Sequence, residues 1–566
     1  VTAVLKPGRN CWIIDEVGAT GLLIDGRDYY RAFYRAAMKA RRYILLAGWQ
    51  FDREVHLLRG DDARETSHDV RFLSFLNELC EKIPKLKIYI LSWDFSSLYI
   101  LDREWFQDLI YTWTTSARLY FRFDNTHSIG ASHHQKFAVI DGTIGFVGGI
   151  DICSQRWDDR DHRVSNPHRR DAKGKAYEPY HDIQSCFTGQ AAERLARYFS
   201  HRWKVSGGKK LDLAPPPDEP PFEIDPTVSI PAHQIALSRT RGRTLLPLQS
   251  QLQEIRNLYV DAISSADQLI YMENQYFSSQ AVYQAIIERI EDSGRPPLQI
   301  VIILPKKPHT LAENVAMGLA QMKMLKDISE RCEKYGHAIG IYHTLPAAIE
   351  TGVNADAQWE STYIHAKLLI VDDRFLSVGS ANTTNRSMGL DTELNVSWEV
   401  GISGGEELTR SIRQVRETLL TEHAGLEGEG SFGSLGSPGQ LVARLDEMCG
   451  KRLRRRSLKA MTEENPLLRN LDPEKLKVDP DKPVIEENVF EVLSLDRTGL
   501  FAEGITLLSD ILAHDDAHEE RSGKKLRDYL RRFLSMILYA LRNPWRWIIL
   551  LALIALSGWI VAHFFF

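Results

Sequence analysis

The sequence predicts an α/β fold: two tandem, duplicated α/β lobes with mixed sheets packed into one layered body, followed by a C-terminal membrane helix. Three observations predict it. The segment HHQKFAVIDGTIGFVGGID (133–151) returns 231 positions later (133 to 364) as IHAKLLIVDDRFLSVGSAN (364–382), without one insertion. Short β-branched or aromatic runs, among them 43–47, 87–91, 119–123, 299–304 and 339–342, alternate with amphipathic stretches through both copies. The end of the chain, WIILLALIALSGWIVAHFFF (547–566), supplies about the 20 apolar residues that cross a bilayer.

The first lobe is expected at 1–213 and the second at 222–424, joined by the stiff, proline-rich APPPDEPP (214–221). A flexible linker, GLEGEGSFGSLGSPG (425–439), leads to an acidic, weakly patterned extension at 440–522. Within the extension the basic cluster Lys451, Arg452, Arg454, Arg455 and Arg456 reads most simply as a solvated helix face, with lipid headgroup contact the weaker reading.

An amphipathic helix is expected at 523–543. Leu526, Tyr529, Leu530, Phe533, Leu534, Leu538 and Leu541 recur at helical spacing, with Lys524, Lys525, Arg527, Arg531, Arg532 and Arg542 between them. Such a helix suits an anionic membrane surface, and it also reads as a core helix. Within the span at 545–566 the run 547–566 is apolar on every face, and Trp545, Trp547 and Trp559 fit the headgroup level. Lys and Arg precede the span and none follows it, so the large N-terminal part is expected to face the cytoplasm.

Composition excludes several classes. The 566 residues are 43% hydrophobic and 26% charged, ordinary for a globular protein, which rules out collagen and global disorder. With 70 basic and 75 acidic side chains the net charge is −5, so the whole surface has no electrostatic reason to bind nucleic acid. Cys11, Cys80, Cys153, Cys186, Cys332 and Cys449 form no CxxC pair and read as reduced thiols, neither a disulfide framework nor a zinc site.

The repeat carries the chemistry. It superposes His134 on His365, Lys136 on Lys367 and Asp141 on Asp372, then Gly148 on Gly379, Gly149 on Ser380 and Asp151 on Asn382. Side chains alternate along a strand, so His and Lys two residues apart share one face in each copy. The runs 137–140 and 368–371 read as strands buried on both sides, and Asp141-Gly142 and Asp372-Asp373 as turns that make each copy a hairpin. Gly149 and Ser380 are then small residues whose backbone N–H groups can meet a phosphate. Lysine supplies fixed positive charge for phosphate oxygens, and histidine a nucleophile or an acid and base near neutral pH. Two histidines facing one phosphorus permit double displacement through a phosphohistidine. No metal or other cofactor is required for this, and no obvious Mg²⁺ or Ca²⁺ carboxylate cluster stands in the sequence. Asp141 and Asp372 complete the motifs, and their turn positions suit stabilising the hairpins better than touching substrate. Asp151 against Asn382 makes the halves unequal.

HHQKFAVID and IHAKLLIVD each fit HxKxxxxD, and over roughly 5–425 the chain resembles the phospholipase D superfamily, in particular its bacterial two-motif, phosphatidylcholine-hydrolysing branch. GGIDICSQRWDD (148–159), ENQYF (273–277) and GSANTTNRS (379–387) resemble it too. The resemblance implies one active site between the lobes, with His134 as nucleophile, His365 as acid and base, and Lys136, Lys367 and Asn382 holding the phosphate. Sequence alone does not fix which histidine attacks. It also implies a carboxylate that orients each imidazole: Glu393 in DTELN for His365, and Asp182 in YHDIQ for His134. The implied reaction cleaves the distal phosphodiester of glycerophospholipids to phosphatidic acid and a free head group, with head-group exchange when an alcohol intercepts the intermediate. Cardiolipin synthesis by phosphatidyl transfer is the alternative, and nuclease action or a catalytically dead scaffold the weaker ones. The expected partners are a phospholipid and the membrane, with the bacterial inner membrane as the expected location, no nucleic acid and no obligate protein partner. The tail resembles relatives in which a larger multi-span domain follows, so a chain with one span, starting at Val1, is either tail-anchored or incomplete.

Overall fold

Two mixed sheets organise the computed structural model, which describes residues 3–93, 116–128, 130–217, 223–245, 248–306, 311–347, 360–426, 435–456 and 479. The expected membrane span, the amphipathic helix before it and most of the extension lie outside these residues. Among the described residues no helix is long and apolar enough to cross a membrane.

The first sheet runs, in order, through Val228–Ser229, Thr20–Ile24, Ile183–Thr188, Ile144–Gly148, Lys136–Ile140, Tyr43–Gly48, Lys87–Trp93 and Leu119–Asp124. The second runs through Ile13–Glu16, Gln234–Arg241, Glu393–Glu399, Phe375–Gly379, Leu368–Val371, Leu269–Glu273, Gln299–Ile303, Ala338–Thr344 and Leu453–Arg455, with Leu252–Gln253 also pairing to Gln234–Arg241. Seven consecutive strands, Thr20–Ile24 to Leu119–Asp124 and Gln234–Arg241 to Ala338–Thr344, therefore follow the same order. Their directions match as well: three parallel strands at one side, then an antiparallel series that contains the motif hairpin. Among the described residues, the connections from Tyr43–Gly48 to Lys87–Trp93, from Leu269–Glu273 to Gln299–Ile303 and from there to Ala338–Thr344 run through helices, as parallel crossovers commonly do.

Each hairpin strand is buried along its whole length, as its unbroken apolar run demands. Ile144–Gly148 and Ile183–Thr188 face Phe375–Gly379 and Glu393–Glu399 of the other sheet. The helices Gln190–Val205 and Glu406–Ala424 join this central core through Leu195, Phe199, Ile412 and Val415. Asp25–Lys39 and Phe72–Lys82 cover the outer side of the first sheet, and Glu254–Ser264 with Gln280–Glu291 cover that of the second. The layers read helix, sheet, helix, sheet, helix.

Three boundaries differ from expectation. Ile13–Glu16, placed in the first lobe, pairs antiparallel with Gln234–Arg241 of the second sheet, while Val228–Ser229 pairs back to Thr20–Ile24 of the first. Short edge strands are free to pair with whichever edge lies nearer. The second half also continues past 424. Helix Leu441–Met448 buries Leu441, Val442 and Leu445, and Leu453–Arg455, expected as a solvated helix face, is an edge strand antiparallel to Ala338–Thr344. Arg455 pairs with Asp446, and Arg452 Nε donates to Leu345 O, so those charges serve an edge. The six cysteines are free thiols.

Candidate active site

Both motif histidines stand just ahead of their buried strands, not within them. His134 precedes Lys136–Ile140, and His365 lies between the short strand Tyr363–Ile364 and Leu368–Val371. The cause is pairing between the halves. His134 N donates to Thr392 O at 2.9 Å, and His365 N donates to His181 O at 2.8 Å. Each motif thus uses its extended segment to bridge to the opposite half. Each lysine then turns back, Lys136 Nζ donating to His134 O at 3.0 Å and Lys367 Nζ to His365 O.

The carboxylates pair in the reverse of the expected sense. Asp182 Oδ2 lies 2.6 Å from His365 Nδ1, and the Glu393 oxygens lie 3.0 and 3.1 Å from His134 Nδ1. The bridges explain the exchange. Asp182 follows His181, whose carbonyl holds His365, and Glu393 follows Thr392, whose carbonyl holds His134. A carboxylate one residue past the bridge meets the imidazole of the opposite half. His134 Nδ1 also donates to Ser380 O at 3.0 Å. Since its neighbours there are all acceptors, Nδ1 carries the hydrogen and Nε2 is left to react.

Gly149 and Ser380, expected at a phosphate, instead build the seats of these carboxylates. A side chain at Gly149 would collide with both oxygens of Asp182, which lies flat against it. Ser380 Oγ donates to Glu393 Oε2 and accepts from Leu394 N at 3.1 Å, and Ser387 Oγ donates to Glu393 Oε1 at 2.7 Å. Their position follows from the repeat: both end the returning strand beside the carboxylate of their own half.

Asp141 and Asp372 hold the hairpins. Asp141 accepts from the backbone N–H groups of Arg41, Arg42 and Tyr43 at 2.7–2.8 Å, and Asp372 accepts from those of Asp267, Gln268 and Leu269 at 2.7 Å. Both stand at the hairpin turn with φ of 52° and 54°, a left-handed conformation that aspartate tolerates. They fasten each turn to the neighbouring parallel strand.

The lysines differ more than their motifs suggest. Lys136 Nζ forms a buried ion pair with Asp151 Oδ2 at 3.2 Å, and Asp151 Oδ1 accepts from Trp49 N at 2.8 Å. Lys367 Nζ has the neutral Gln275 Oε1 at 3.3 Å, and in place of Asp151 the second half has Asn382, whose Oδ1 is buried without a hydrogen-bond partner among the described residues. Burial brings Lys367 down to about 7, with Asp182 opposing. Burial pushes the Asp182 carboxyl up to about 7, with Lys367 opposing. His365 is held well below an ordinary imidazole by burial and by Lys367, Arg156, Lys136 and His134. Cations of both motifs therefore act on one imidazole.

Other residues of this site were not singled out in the sequence: Gln275 in ENQYF, Ser387 at the end of GSANTTNRS, and Arg156 in GGIDICSQRWDD. The resembling segments contained them, but nothing in their spacing gives them a role. Tyr180 and Tyr363 flank the His365 ring, with centroids 5.3 and 6.4 Å away.

Residues 36–225 match the family model described as phospholipase D, and residues 259–414 match the one described as cardiolipin synthase, phospholipase D-like domain. The chain belongs to the phospholipase D superfamily. It is similar to phospholipase D1 of Schizosaccharomyces pombe, 26% identical over 491 residues, covering 72% of this chain and 35% of the relative. It is also similar to phospholipase D alpha 1 of Zea mays, 23% identical over 536 residues, covering 71% of this chain and 65% of the relative. The chain thus spans about a third of the yeast protein and just under two thirds of the maize one. Among solved structures it is similar to phosphatidylserine synthase of Haemophilus influenzae Rd KW20, with a TM-score of 0.48, 12% identity, and coverage of 77% of this chain and 95% of that one. The two phospholipases D come from a yeast and a plant, so they lend the bacterial phosphatidylcholine-hydrolysing branch no support of its own.

Proposed function

We propose that the chain is a phosphodiesterase that works by double displacement on phosphorus, with glycerophospholipids as its substrates. The observation that carries this reading is the pair of imidazoles, one from each motif, each with its Nδ1 on a carboxylate of the other half. A carboxylate so placed fixes the tautomer and stabilises the imidazolium that forms during reaction.

In the proposed first step His134 Nε2 attacks phosphorus and the bond to the head-group oxygen breaks. The proton for that oxygen comes from His365. Near pH 7 the His365–Asp182 pair holds one proton more than a neutral imidazole with a carboxylate, because burial keeps the Asp182 carboxyl protonated up to about 7. Passing that proton to Nδ1 leaves the ring able to give up its Nε2 hydrogen. In the second step His365 takes a proton from water, the water oxygen attacks phosphorus and the P–N bond breaks, which restores both rings. An alcohol in place of water gives the exchange product. Lys136, Lys367 and Asn382 are the proposed phosphate holders, their charge and dipoles serving where negative charge builds. The order of the two histidines rests on resemblance.

The proposed products are phosphatidic acid and a free head group. Residues 523–566 are proposed to keep the site at a bilayer facing the cytoplasm, a reading supported by their sequence pattern alone. A second reading, phosphatidyl transfer as in cardiolipin synthesis, is favoured by the description of the family model over 259–414. Purified full-length chain given phosphatidylcholine vesicles with ethanol distinguishes them. Phosphatidylethanol is expected. Its absence, together with cardiolipin formed from phosphatidylglycerol, would favour the transferase, and cleavage of single-stranded DNA without lipid turnover would overturn both.

A further inference from the structure

Between the halves, apart from the residues of the proposed reaction, lies a second cluster of histidine and carboxylate. His162 and His181 come from the segment after the first motif, Asp25 from the start of the first helix, and Glu422 from the last turn of Glu406–Ala424. The side chains of all four are buried to within 1%. His162 Nε2 lies 3.3 Å from Asp25 Oδ2 and 3.1 Å from Glu422 Oε1. His181 Nδ1 lies 3.0 Å from Asp25 Oδ1 and 2.9 Å from Glu422 Oε1.

Two further features separate this cluster from an ordinary buried ion pair. His181 Nδ1 and Asp25 Oδ2, fully buried and aimed into its centre, have no aligned hydrogen bond among the described residues. In addition, the far nitrogen of each ring is taken by an outer carboxylate: His162 Nδ1 by Asp158 Oδ2 at 3.0 Å, and His181 Nε2 by Glu273 Oε2 at 2.9 Å. An imidazole that points one nitrogen at a shared centre and the other at a carboxylate is the arrangement of a metal-bound histidine. Zn–N and Zn–O bonds of about 2.0–2.1 Å place tetrahedral ligands about 3.3 Å apart, close to the separations above.

We propose that Asp25, His162, His181 and Glu422 form a structural site for a zinc-class divalent ion that locks the two halves together. Four protein ligands in a site closed to solvent leave no open position for substrate water, so the ion is structural. It fastens His181, and through it the neighbouring Asp182, to the last turn of the helix Glu406–Ala424. This inference stands whether or not the proposed phosphodiester reaction is right.

Metal analysis of the purified full-length chain, without added metal and with chelator used only in the final wash, tests it first. About one zinc-class ion per chain is expected. Stripping the ion should lower the melting temperature by several degrees and added zinc should restore it. Added cobalt(II) should give the visible absorption of a tetrahedral site, and His162→Asn and Glu422→Gln should each lose both ion and band. Should those variants fail to fold, the wild-type measurements still decide. A chain that carries under about a tenth of an ion and shows neither a cobalt band nor a rise in melting temperature with zinc overturns the site.

Discussion

In the first half of the molecule the motif lysine is neutralised where it sits, whereas in the second half it is not. Lys136 and Asp151 form a pair with side chains only 3% exposed, but Lys367 meets an amide, Gln275, and its half has Asn382 where the first has Asp151. The carboxylates are unequal in the opposite sense. Glu393 is held by two serine hydroxyls, and Asp182 presses against a bare Gly149. Two copies of one hairpin have thus been given different charge balances. A repeat fixes where reactive groups stand, and the residues around it decide how each behaves.

The comparison is broken most severely by removing either imidazole. His134→Asn and His365→Asn are each expected to lower turnover of a lipid phosphodiester at least about 10³-fold, with unchanged circular dichroism. Near-normal activity in either would mean that the two halves do not share one reaction.

The lysines sharpen it. Replacing either by Met is expected to lower kcat about 10²- to 10³-fold, the scale of losing one preorganised charge. Stability should separate them. Lys136→Met strands the buried Asp151 carboxylate and should cost about 3–5 kcal/mol in denaturant unfolding. Lys367→Met removes a buried cation that has no carboxylate in ion-pair contact among the described residues, only the longer-range pull of Asp182, and should cost much less, about 1 kcal/mol or under. Equal losses would show that Asp151 does not distinguish the halves.

Much of this was legible in the sequence. The repeat located both histidines and both lysines, and the unbroken apolar runs at 137–140 and 368–371 located the buried strands. The crossing of carboxylates was not, because it depends on the Thr392 and His181 carbonyls bridging between halves, and a residue offset within one copy carries no record of which half it will face. Gly149 and Ser380 differ from expectation for a related reason. Small residues beside a reactive centre admit a ligand or a protein side chain equally well, and here they admit Asp182 and Glu393. The strand at Leu453–Arg455 is invisible to charge counting, since arginines suit an exposed sheet edge as well as a helix face.

Smaller effects follow from pH and from the turns. Asp182 and Lys367 both stand near 7, so raising the pH removes the proton meant for the leaving group and the charge meant for the phosphate. kcat/KM should therefore fall as pH rises through about 7. Asn382→Asp, which gives the second half the carboxylate of the first, should move that fall to higher pH by holding the Lys367 proton; an unmoved profile would exclude Lys367 from it. Asp141→Ala and Asp372→Ala should each destabilise the fold by about 3 kcal/mol, as three backbone N–H groups lose their acceptor. The larger loss is expected at Asp141, which is 2% exposed.

The central claim, that both imidazoles act on one phosphorus, is tested most directly by trapping the covalent intermediate. The His365→Asn chain, given a ³²P-labelled phosphodiester whose leaving group needs no proton, should accumulate label on the peptide that carries His134, and the His134→Asn chain should accumulate none. Label on any other residue, or release of product by the His134→Asn chain at the wild-type rate, would contradict the account.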